Sequence, residues 1–218
     1  DLHAQVGKLF NADTRMEGLR GLLDNAPVRD AALTAIGNDP TVKAQLERVG
    51  LTPADLREAG AAAPRVLEAF EKIKNGDVRG GLEAVQSAVQ AAPALAAKLG
   101  NKVVDALPQS VKDQVAKLGI TEQQLRSAGP ALPHLYSAAD AASKGNWGEA
   151  FKSLGEAAIG GSALTQQALK GLAQQLPPEL GAVRTLLTDD KFLSEVVNNR
   201  DLHAQVGKLF NADTRMEG

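Results

Sequence analysis

Residues 42–64 read VKAQLERVGLTPADLREAGAAAP, and residues 111–133 read VKDQVAKLGITEQQLRSAGPALP. Eleven of these 23 positions are identical, and each shared position has a helical reading. Gly50 and Gly119 fall where a helix ends and a residue of positive φ is wanted. Thr52 and Thr121 then supply the hydroxyl that caps a following helix. Leu56 and Leu125 are expected to face a core. Gly60 and Gly129 stop that short helix, and Pro64 and Pro133 open a longer one. Thr52-Pro53-Ala54-Asp55 is the clearest start: a capping hydroxyl, a proline in the first turn, and a carboxylate facing the positive end of the helix.

The likeness runs on in both directions. Without gaps, 42–108 and 111–177 match at an offset of 69, with 18 identities in 67 positions. Outside the pair, Asp24-Asn25-Ala26-Pro27 predicts a helix to about Ile36, with Pro27 as its first residue and Ala26 as the formal cap. Asp39-Pro40 opens the next helix, which Gly50 closes. Further helices are expected over 64–75, 77–91, 94–106, 110–118, 121–128, 131–144, 146–159, 162–175, 179–188 and 190–198. Apolar residues recur within them at helical spacing, as in Val66, Leu67, Phe70 and Ile73, or Leu82, Val85 and Val89. No window alternates with a period of two. The fold class is all-α, an array of short antiparallel helices in a solenoid-like arrangement without β-sheet.

A longer repeat encloses the shorter one. Asp1–Gly18 reads DLHAQVGKLFNADTRMEG, and Asp201–Gly218 reads the same letter for letter. Residues 1–200 are therefore read as one full period of a tandem array, with sub-repeats 42–108 and 111–177, and 201–218 as the start of the next period. Leu2–Leu9 also resembles Val111–Leu118, so the helix expected at 202–209 belongs with those at 42–49 and 111–118. Asp201–Gly218 is expected to pack on the 179–198 helices, and Asp1–Gly18 on Leu19–Ile36 with one side uncovered.

Composition narrows the function classes. Alanine supplies 37 residues and leucine 29, while aromatics make up 3%, with one Trp and one Tyr. Such a core is built from many close helix contacts rather than a few aromatic anchors. The 24 basic and 26 acidic residues are interspersed, without the basic run of a nucleic-acid footprint. No apolar stretch approaches the roughly 18 residues of a spanning helix, so no membrane insertion is expected. There is no cysteine, hence no disulfide, thiolate metal site or cysteine nucleophile.

The residues that could carry chemistry are sparse. His3, His134 and His203 stand alone in sequence and read as surface or cap residues, because a metal site needs three or four convergent ligands. The pairs Asp24/Asp30 and Asp189/Asp190 lie near helix ends, where the helix dipole accounts for them. Ser162 beside Gly160-Gly161 reads as a helix cap, not as a nucleophile elbow. No catalytic residue, cofactor site or metal site is expected, and an enzyme is disfavoured. Trp147 and Tyr136 are the candidate partner-binding residues, since aromatic anchors dominate interfaces. Trp147 stands where the first copy has Val78, so core packing in a wider gap is the plainer role.

The stretch Lys144-Gly145-Asn146-Trp147-Gly148-Glu149-Ala150-Phe151, with its counterpart Asn75–Leu82, resembles the turn of a tetratricopeptide repeat, and 69 is close to twice that family's period of about 34 residues. The resemblance is to helical-hairpin repeats in general and implies stacked helix pairs. The expected function is a structural repeat module: an extended stalk, filament or adhesin-like spacer whose partners are adjacent copies of itself. The alternative is a scaffold that holds a partner peptide or helix in a groove. The Ala-rich, Cys-free composition favours a bacterial source without fixing the compartment, and the spacer reading favours the cell surface or an extracellular setting over a cytoplasmic one.

Overall fold

The computed structural model describes residues 1–157 and 162–210, apart from the side chain of Ser162. The chain divides into two units, Asp1–Ala106 and Leu107–Gly218. Among the described residues both are helical throughout, with no strand.

The first unit holds α1 (Leu2–Leu9), α2 (Arg15–Asp24), α3 (Ala26–Asn38), α4 (Pro40–Arg48), α5 (Pro53–Ala59), α6 (Ala63–Lys74), α7 (Val78–Ala91) and α8 (Ala96–Ala106). The second holds α9 (Gln109–Ala116), α10 (Glu122–Arg126), α11 (Leu132–Ser143), α12 (Trp147–Ala157), α13 (Ser162–Gln175), α14 (Gly181–Leu187), α15 (Asp190–Asn198) and α16 (Arg200–Lys208). Shifted by 69, α6 coincides with α11 at both ends, and the one-turn 3-10 segments Gly60–Ala62 and Gly129–Ala131 coincide as well.

Local chemistry explains the boundaries. Gly50 and Gly119 have φ of 87° and 77°, a region in which a side chain would be strained. Thr52 and Thr121 both head reciprocal capping boxes. The Thr52 hydroxyl accepts from the Asp55 N–H at 3.3 Å, and the Asp55 carboxylate accepts from the Thr52 N–H at 2.8 Å. In the second copy Gln124 takes the part of Asp55, accepting from the Thr121 N–H at 3.0 Å. Asp39 caps α4 through the N–H groups of Thr41 and Val42. One boundary differs from expectation. Helix α3 begins at Ala26, so Asn25 is the residue before it and Pro27 sits second. A proline lacks the N–H that neither of the first two positions needs, so it does not by itself fix the start.

In the first unit α6 and α7 form the central pair, with α2 and α5 packed on α6 and α1 on α2. In the second, α11 and α12 are central, with α9 on α11 and both α13 and α16 on α12. The expected stripe Val66, Leu67, Phe70 and Ile73 is buried, as are Leu82 and Val85, whereas Ala88 rather than Val89 completes the α7 face.

The two central pairs fill similar space with different residues. Ile73 and Gly81 are replaced by Ala142 and Ala150, and a Cβ on Gly81 would lie only 2.7 Å from the Ala69 carbonyl oxygen. Phe70 and Leu82 become Ala139 and Phe151, so the one large ring changes helix between copies. All eight are buried. Such exchanges conserve volume, which a close-packed interior requires.

A buried ion pair likewise has a neutral counterpart. Asp55 is 7% exposed and meets Lys102 Nζ at 2.6 Å and Lys98 Nζ at 3.5 Å. At the matching positions Gln167 meets Gln124, Nε2 to Oε1 at 3.0 Å. Burial alone would raise the Asp55 carboxyl, but the Lys102 hydrogen bond and the Thr52 cap outweigh it and hold the group below the usual carboxylate range. The charged form is thus favoured by folding. Its stabilisation is present above the unfolded value of about 3.9 and fades as pH falls below that. Asp55→Asn keeps the cap and removes the charge, and is expected to cost about 2 kcal/mol at pH 7. The difference from the parent chain in denaturant melts should shrink below about pH 4; a pH-independent difference would contradict this account.

Candidate functional site

A cavity lies in the second unit, where α12, α15 and α16 leave about 720 Å³ between them. Its apolar wall consists of Phe151 and Gly155 of α12, Val196 and Val197 of α15, and Ala204 and Gly207 of α16. Lys152, Glu156, Arg200 and Lys208 supply its charged lining. The volume falls in the usual range of about 300–1,000 Å³ for ligand pockets.

His203 is the centre of this region. Its ring stacks on Phe151 with centroids 3.9 Å apart and planes 6° from parallel. Its Nε2 lies 2.9 Å from the Phe151 carbonyl oxygen, which is satisfied when that nitrogen carries the proton. Nδ1 is buried without a hydrogen-bond partner among the described residues. A second proton would have to enter at that buried nitrogen. Burial therefore holds the His203 pKa below the usual histidine value, against the weaker opposing pull of the Phe151 carbonyl. Gly155 makes room for the ring, since a methyl group there would overlap it. The first copy carries Gln86 at the position of Gly155 and Leu82 at that of Phe151, so it has no such seat.

Beside this cavity is a depression of about 430 Å³ formed by Gly145–Glu149 with Gly207 and Phe210. Phe210 also packs on Phe151, with centroids 5.0 Å apart. Trp147, at the first position of α12, is half-buried and lines this depression. Gly207 borders both hollows and joins the two. Tyr136 is half-buried on α11 and borders neither hollow. The structure does not bring the two aromatic candidates into one cavity.

His203 does not sit as expected for a surface or cap residue. It is half-buried, and its partner lies 52 residues earlier in sequence. His3, in the identical sequence, is exposed. His134 lies beside Glu156, Nδ1 to Oε2 at 3.3 Å. Asp189 caps α15 through the Phe192 N–H, and Asp190 pairs with Lys170. Asp24 closes α2 and Asp30 lies within α3. Ser162 is the first residue of α13, while Gly160 and Gly161 lie outside the described residues. Among the described residues no group of three or more His, Asp or Glu is placed to hold a metal ion.

No protein-family profile, no curated protein and no solved structure matches this chain. Among the described residues, no helix is long and apolar enough to cross a membrane.

Proposed function

We propose that the chain is a structural repeat module of a long repetitive protein, serving as a stalk, filament or adhesin-like spacer without catalytic activity. The observation that carries this reading is the identity of Asp1–Gly18 and Asp201–Gly218, whose described parts form a helix at each end of a 200-residue period. Stacked helical hairpins, of the kind the tetratricopeptide-like turns imply, extend by adding units that contact only their neighbours. Small-angle scattering on one, two and three tandem periods tests this. A maximum dimension that grows linearly with copy number is expected, and a compact particle that does not lengthen would refute it.

The groove of α12, α15 and α16, with the depression that Trp147 lines beside it, favours a second reading, a scaffold that holds a partner helix or peptide. In that case Trp147→Ala lowers partner affinity with helicity unchanged, whereas loss of folding would assign Trp147 to the core.

A further inference from the structure

The two identical end segments are used in opposite ways. Along α16 and the turn after it, His203, Val206, Gly207 and Phe210 form a covered stripe: His203 stacks on Phe151, Val206 is 4% exposed, Gly207 lies against the Phe151 ring, and Phe210 packs on Phe151. These residues are spaced i, i+3, i+4, i+7, one face of a helix. In α1 the same stripe is His3, Val6, Gly7 and Phe10, and all four are exposed; Phe10 is 84% exposed.

What α1 partly covers instead is its other side. Gln5, Lys8 and Leu9 face α2, where Gly18 lets the helices approach so closely that a Cβ there would lie 2.6 Å from the Gln5 carbonyl oxygen. Lys8 also pairs with Glu17 of α2. In α16 the corresponding Gln205 and Lys208 are exposed. Leu9 and Leu209 are half-buried in both settings, but the rest of the two faces differ, and each has its own receiving surface.

We infer that the exposed His3–Val6–Gly7–Phe10 face of α1 is a docking face for a second copy of this unit, and that the groove built by Phe151 and Gly155 on that copy's α12 is its receptor. This rests on the repeat-array reading, and it names the junction: one helix bound by its two opposite faces to consecutive periods. The occupant follows from the chain itself, because the identical stripe already fills that groove as α16. Helix α7 of the first unit offers no equivalent seat, so the contact has a direction, head to tail.

The whole 218-residue chain provides the test, since α1 and α16 can be altered independently. Val206→Asp places a charge in the buried contact and releases the groove from its own α16. The expected result, by light scattering across a concentration series, is a rise in mean mass above that of the parent chain. Val6→Asp/Val206→Asp removes the second donor face and is expected to return the mass to the parent value. An unchanged mass for Val206→Asp with helicity retained would overturn the inference. So would association that persists in the double variant. If Val206→Asp loses more helix than α16 contains, His203→Ala, alone and with His3→Ala, repeats the comparison. Tandem copies that lengthen while the Val206→Asp mass stays put would leave the spacer and remove this junction; the reverse would keep the docking face and remove the spacer.

Discussion

Gly171→Ala is expected to destabilise the second unit by about 3 kcal/mol, although alanine is the better helix former by about 1 kcal/mol. Gly171 lies inside α13, where the chain leaving α9 crosses it. A methyl group there would overlap the backbone carbonyl of Leu118, which cannot rotate away as a side chain would. The crossing is fixed on both sides: Gln167 donates to the Gly119 carbonyl and Gln175 to the Lys117 carbonyl, the latter at 2.8 Å. These two glutamines sit one turn before and one turn after Gly171. Gly37→Ala is the control of opposite sign. Gly37 is also helical, but a Cβ there would meet nothing within 4 Å, so a gain of about 0.5–1 kcal/mol is expected. Denaturant melts of both variants check the pair. Equal, small effects would show that α13 can shift away from the α9 turn at little cost.

Phe151→Ala carries the second large effect, about 4 kcal/mol, the usual cost of emptying a fully buried phenyl site. The ring serves two surfaces at once. It fills the α11–α12 core, where Ala139 leaves space for it, and it supports His203 of α16 and Phe210 just beyond that helix. Phe151→Leu copies the first unit's Leu82 but without Phe70 opposite, so it also leaves a void. Its cost should be smaller, about 1–2 kcal/mol, with faster amide exchange in α16 than in α11. Uniform loss of protection across the unit would mean that α16 does not detach separately.

What could be read from the sequence was what is decided within a few residues. Thr52, Thr121, Asp39, Gly50 and Gly119 act on backbone groups one to four positions away, and each stands where it was expected. Burial of Leu56 and Leu125 followed from their spacing on those short helices. The α3 start escaped because Pro27 is tolerated at either of two positions and Asn25 makes no side-chain cap. The groove escaped for a different reason. It depends on α16 returning to α12 across about fifty residues, and on Gly155, whose role is to be absent from a space. A glycine inside a helix gives no sign of what it admits. His203 was legible only as a lone histidine, and its twin His3 shows that the sequence alone does not decide whether it is covered.

The unlike polar pairs at matching positions bear on how two similar segments avoid exchanging parts as they fold. Similar neighbouring segments risk trading partners, a hazard of repeated chains. If α8 took the place of α13, Lys98 and Lys102 would meet the neutral amide of Gln124 instead of Asp55, and Lys102 would stand where the Leu118 carbonyl tolerates only glycine. If α13 took the place of α8, Asp55 would be left in the interior with no cation. Either trade is penalised by an unpaired charge or a backbone collision. The Asp55 cluster and the bare Gly171 thus act as a lock with two different keys, keeping α8 with α5 and α13 with the end of α9.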